Sequence, residues 1–130
     1  LVLATNTLTA VQSIGMPEGR IILAQCATYL ACSPKSNASY MAIEQALATV
    51  AKTGAQAVPL HLRNAPTKLM KEINYGKDYE YAHAHPGNFV EQEFLPDQLK
   101  GSTFFIPGNN PRENEMRDFL KKRWKEKYGY

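Results

Sequence analysis

No stretch of this sequence stays apolar for the ~18 residues that a membrane-spanning helix needs. Cysteine is scarce too, with two in 130 residues. Cys26 and Cys32 fall in what reads as one helix, with side chains pointing apart, so the expectation is two free, buried thiols in a reducing cytoplasm rather than a disulfide. The amino end, Leu-Val-Leu-Ala-Thr, has neither the basic flank nor the cleavage pattern of a secretory signal. Without secretion the sequon Asn37-Ala38-Ser39 has no role. The missing initiator methionine reads as a fragment whose first helix starts upstream.

Catalytic motifs are also missing. There is no G-x-S-x-G elbow and no cysteine in an evidently electropositive turn, so a hydrolase would lack its nucleophile. Gly76-Lys77 is followed by Asp78 where a phosphate-binding loop needs Ser or Thr, and these residues alone are not expected to hydrolyse ATP. His83-Ala84-His85 and His61 have no acidic or cysteine partner at a ligand spacing. Hydrogen bonds to loop backbone are their expected role, and no metal site is expected. The net charge of +3 permits nucleic-acid contact without requiring it.

What is present is an ordinary globular composition, 44% hydrophobic and 21% charged, at a length suited to a single domain over residues 1–130. Val2, Leu3, Leu8, Val11 and Ile14, the last three spaced three residues apart, precede Gly15, which predicts a helix over 1–14. Pro17-Glu18 open a second helix to about Cys32. It is apolar on most sides, and therefore central, either in the core or against another subunit. Ser36 or Asn37 caps a third helix through Tyr40, Ile43, Leu47 and Val50 to Lys52, ahead of Gly54. Short connections and abundant alanine favour a helical bundle.

Residues 58–96 mix prolines, glycines, aromatics and histidines too densely for one regular element and predict a long ordered loop region. A short helix fits 67–73, with Pro66 in its first turn and Tyr75-Gly76 closing it. Residues 96–99 suit a single helical turn. Residues 103–106 have strand character, with 79–82 the candidate partner in a short two-stranded β-ribbon. Asn110-Pro111 and Glu113 form a capping box that opens a last helix, 111–128, with Met116, Phe119, Leu120 and Trp124 on one stripe and a strongly basic remainder. The fold class expected is mainly α.

Two sets of residues are candidates for function. Ile21, Ile22, Tyr29, Tyr40, Ile43 and Leu47 are apolar positions on the second and third helices that suit either a core or a subunit interface. Arg63, Lys68, Lys71 and Lys77, interleaved with Tyr75, Tyr79 and Tyr81, combine charge and stacking surface as a single-stranded nucleic-acid site does. Arg117, Lys121 and Lys122 extend that charge along the last helix. The alternative is a solvated rim over buried tyrosines for the central group and a solvated face for the last helix.

Residues 15–47 and 58–99, through PEGR, SPKSN, HLRNAPTKLMK and YAHAHPGNFVEQ, resemble the carboxy-terminal domain of the replication-associated recombination protein A family. These are the MgsA/RarA AAA+ ATPases, whose eukaryotic relative is the Werner helicase-interacting protein. Ser33 stands where that family has alanine, and the tail from Gly101 matches loosely. The resemblance implies a helical domain akin to the clamp-loader collar that holds a clamp-loader-like ATPase as a homotetramer at stalled replication forks, in DNA replication, recombination and repair. It also implies ATP and magnesium in an ATPase domain outside these residues. The implied partners are DNA and single-stranded-DNA-binding protein, whose acidic tail suits a basic surface, and the implied location is the nucleoid-associated cytoplasm.

Overall fold

The computed structural model describes residues 1–130, which divide into two compact units, Leu1–Lys35 and Ser36–Tyr130. The fold class is mainly α, as expected, with five α-helices, four isolated 3-10 turns and no strand.

In the first unit α1 (Val2–Ile14) and α2 (Gly19–Cys32) pack on each other as a hairpin. Gly15 ends α1 at φ 78, its N–H donating to the Val11 carbonyl at 2.8 Å. Pro17 and Glu18 form the turn rather than the first helical residues, so α2 starts at Gly19. A Cβ at Gly19 would lie 3.3 Å from both the Met16 sulfur and a Val11 methyl, which is why the smallest residue sits there. Both cysteines are free, but only Cys26 is buried. Six residues turn the helix through about 600°, so Cys32 faces away from the packed side and is exposed, contrary to the expectation of two buried thiols.

In the second unit α3 (Ala38–Thr53) starts beside Ser36, whose hydroxyl accepts the Ala38 N–H at 3.1 Å, and stops at Gly54 with φ 69. Residues 54–110 then run mostly as turns. In α4 (Lys68–Glu72) the Thr67 hydroxyl accepts the Met70 N–H at 3.3 Å, which places Pro66 before the cap and not in the first turn. Gly76, at φ 69, donates to the Leu60 carbonyl at 2.8 Å, and a Cβ there would stand 3.2 Å from the Arg63 carbonyl. The two-stranded ribbon is not formed. Residues 82–84 coil into a 3-10 turn, and Thr103 donates its hydroxyl to the Tyr128 carbonyl at 3.1 Å, so 103–106 lies unpaired along the tail. Its strand-like composition reflects half-covered side chains on extended backbone, not a partner strand.

The last helix, α5 (Pro111–Trp124), is capped by Asn110, which accepts the Glu113 N–H at 3.0 Å. The Glu113 carboxylate reaches the Gly108 N–H instead of the cap's own N–H, a displaced form of the capping box. α5 ends at Trp124 rather than Tyr128 because Lys125 adopts φ 51 and turns the tail back. Trp124 then meets Phe89 and Tyr128 edge to face, at centroid distances of 4.8 and 4.9 Å, and Phe94 at 6.2 Å. Val90 is buried.

Burial is otherwise sparse. Cys26 and Val90 are the buried side chains of the hydrophobic core, each still 8–9% exposed, and the chain exposes 10100 Å². Two separately folded compact bodies of these residues would expose about 8,100 Å².

Candidate functional site

The third helix is inverted relative to an ordinary amphipathic helix. Its partly covered positions are small: Ala38, Ala42, Ala46, Thr49 and Thr53. Its large apolar side chains are open, with Tyr40 62%, Ile43 53%, Leu47 59% and Val50 56% exposed. Their spacing of three, four and three residues is that of a helix–helix seam. In the first unit Ile21 and Tyr29 are exposed and Ile22 is half-buried, with Leu23 and Leu30 also open. All six apolar candidates are therefore at or near the surface.

The basic candidates divide into engaged and free. Arg63 donates to the Val58 carbonyl at 2.6 Å and the Tyr75 hydroxyl at 3.0 Å, and its guanidinium lies over the Tyr75 ring at 4.9 Å. It clasps the loop region. Arg117 bonds the Pro107 and Gly108 carbonyls, the latter at 2.8 Å, and Asn114 at 2.7 Å, holding the approach to α5. Lys68, Lys71, Lys77, Lys121 and Lys122 are exposed. Tyr79 and Tyr81 are exposed beside Lys77 while Tyr75 is half-buried, so only part of the tyrosine set is available for stacking.

Residues 1–124 match the model of the family described as MgsA AAA+ ATPase C terminal. The chain belongs to that family. Among curated relatives, the replication-associated recombination protein A of Coxiella burnetii is 42% identical over 92% of this chain and 28% of its own length. That of Escherichia coli K12 is 42% identical over 82% of this chain and 24% of its own length. The ATPase WRNIP1 of Dictyostelium discoideum is 42% identical over 81% of this chain and 12% of its own length. The chain thus spans about a quarter of the length of its bacterial relatives.

Within this MgsA C-terminal domain only His61 takes the expected hydrogen bond to loop backbone, while His83 lies against the Tyr81 ring at 5.2 Å. His61 Nε2 lies 2.8 Å from the Glu93 carbonyl, and His85 lies 3.3 Å from the Glu80 carboxylate. No group of three or more histidine, cysteine, aspartate or glutamate side chains is placed to hold a metal ion. No helix is long and apolar enough to cross a membrane.

Two carboxylates that sequence reasoning did not single out for function tie segments together, Glu93 a loop to the tail and Glu113 the start of α5 to its approach. Burial pushes the Glu93 carboxyl up, but the Leu95 N–H, the Lys127 ammonium and the Phe94 N–H outweigh it and hold it below the usual range. Lys127 lies 3.4 Å from that carboxylate and donates to the Gln92 carbonyl at 2.8 Å. Glu113 is lowered by the Ser36 hydroxyl first and the Gly108 N–H second, so α5 and the residues leading into α3 share one anion. Burial, with the neighbouring Tyr128, raises the Tyr130 phenol.

The structure also brings together a groove missed at the sequence level. It is lined by Phe89, Val90, Phe119, Lys122 and Arg123 among others, with a volume of about 520 Å³. The Phe119–Arg123 pair, four apart on one helix, was a readable signal. The contribution of Phe89, thirty positions away, was not.

Proposed function

We propose that this MgsA C-terminal domain is a non-catalytic self-association module, which holds a clamp-loader-like AAA+ ATPase as a homotetramer at stalled replication forks. The observation that carries this reading is surface area. The chain exposes 10100 Å², about 2,000 Å² more than even two separate compact bodies would. In a closed tetramer each copy makes two interfaces. An excess of that size gives roughly 1,000 Å² per copy at each, or about 2,000 Å² in total per interface, the size of obligate contacts. The open seam of Tyr40, Ile43, Leu47 and Val50, with Ile21, Ile22 and Tyr29, supplies apolar surface of the right kind.

In this reading residues 1–130 act as one module. ATP and magnesium belong to an ATPase domain elsewhere in the protein, and DNA and single-stranded-DNA-binding protein are partners of the whole assembly. The experiment is sedimentation velocity of the intact protein with and without these residues. Loss of the tetramer on their removal supports the reading. An unchanged sedimentation coefficient after correction for the lost mass overturns it.

The second reading is direct DNA contact. It is favoured by the five free lysines, Lys68, Lys71, Lys77, Lys121 and Lys122, and disfavoured at Arg63 and Arg117, whose guanidinium groups are engaged by loop carbonyls. Binding carried by those lysines would fall steeply with salt. Absence of binding at ~50 mM salt would remove it.

A further inference from the structure

An open strand edge lies beside α5. From Ser102 to Gly108 the chain runs without helix, turn or bend, and Phe104, Phe105 and Ile106 make no backbone hydrogen bond in either direction. A row of free N–H and C=O groups on strand-forming residues is a template for another strand, and the chain itself supplies none. Side chains alternate along such an edge. Phe105 is on the α5 side, where it walls a groove of about 630 Å³ with Met116, Phe119 and Leu120. Met116 and Phe119 are 39% and 56% exposed there, and Ile106, on the opposite face with Phe104, is 68% exposed. Arg112 and Glu115 flank the groove, both exposed and outside every ion pair of the chain.

We infer that this edge pairs with the same edge of a second copy of the chain, antiparallel about a twofold axis at Phe105. Phe104 of each copy then stands opposite Ile106 of the other. Those residues exchange roughly four backbone hydrogen bonds, none of which needs the N–H that Pro107 lacks. The two Phe105 rings meet at the non-hydrogen-bonded position, where side chains approach most closely, and each covers the other copy's groove. Self-complementarity selects a second copy over a different partner, because Phe105 is both the wall of one groove and the side chain that fills the next. Charge agrees. A rim with one charge of each sign meets its own copy without net repulsion, whereas a phosphate backbone or a segment of one sign gains nothing from it. This contact rests on the self-association reading and deepens it: a closed tetramer needs two contacts per copy, the α3 seam supplies one, and the 103–106 edge supplies the other, which makes the assembly a dimer of dimers.

The test is sedimentation velocity and oxidative cross-linking on the intact protein. The mass of the unaltered protein decides self-association itself, and a monomer would remove that reading and this contact with it. Ile106→Pro takes away an edge N–H at an exposed position that extended backbone tolerates. It should raise the dimer–tetramer dissociation constant roughly 30-fold, through two lost hydrogen bonds per contact, with helix content unchanged. Leu47→Asp should leave dimers held by the other contact, and the double variant monomers. Phe105→Cys, in a Cys32→Ser background, should form a covalent dimer on mild oxidation, because directly facing positions lie within disulfide reach. Ile106→Cys in the same background should not, since each position 106 is diagonal to its counterpart and beyond that reach. The cross-link decides the matter even where Ile106→Pro unfolds. A tetramer unmoved by Ile106→Pro would overturn the contact while leaving self-association in place, and so would cross-linking that is absent at 105 or equal at 106.

Discussion

A carboxylate placed at Leu47 distinguishes an interface from a core at one position. Leu47 is 59% exposed on a helix whose small face is the covered one, so Leu47→Asp should cost the folded chain about 1 kcal/mol or less, chiefly helix propensity. The cost to assembly is larger. Burying the exposed part of that side chain removes about 100 Å² of apolar surface from water, or about 2.5 kcal/mol per copy. The new carboxylate adds a desolvation penalty in the same direction. The dissociation constant should therefore rise at least about 100-fold. Sedimentation velocity reads the mass and circular dichroism reads the helix content. Val90→Asp, at a buried position, is the contrast and should lose the fold. A Leu47→Asp protein that unfolds, or one that is folded with unchanged mass, would refute the reasoning.

Glu93 and Glu113 are both depressed in the folded state, so their stabilisation is present above their unfolded values near 4.3 and is lost as pH falls through the folded ones. The urea midpoint should be flat from neutrality to about pH 5 and fall below about pH 4, and Glu93→Gln should flatten that fall. Gly76→Ala should destabilise by about 1–2 kcal/mol in equilibrium unfolding, because a Cβ there meets both a left-handed backbone and the Arg63 carbonyl at 3.2 Å. Trp124→Ala should cost about 3 kcal/mol and release the tail, read as faster amide exchange at residues 125–130, since three rings and the Lys127 ammonium pack on it.

Several helix ends were legible because their chemistry is local, although Pro17 and Pro66 were each placed inside a helix that starts after them. Gly15 and Gly54 stop α1 and α3, and Asn110-Pro111 starts α5, because a cap is a short-range bond that the sequence spells out. The end of α5 was not legible. Nothing local marks Lys125 for a positive φ, and the turn is made by contacts of Trp124 and Lys127 with a loop more than thirty residues earlier. The absent ribbon has the same origin, since 103–106 has strand residues but its partner segment stays irregular over 79–81 and enters a 3-10 turn at Ala82. At the candidate sites, composition counted basic residues correctly but did not separate Arg63 and Arg117, held by carbonyls, from lysines left free. The apolar candidates were chosen as core or interface alike, because periodicity does not report exposure; in the folded chain five of the six are exposed and Ile22 is half-buried.

The central claim is tested most directly by the absolute mass of this chain in solution, from light scattering over concentrations from about 1 to 100 μM. The account predicts four times the 14.6 kDa of one chain, with no dependence on salt beyond a modest shift, because the surface to be covered is apolar. A mass of 14.6 kDa at every concentration would contradict it.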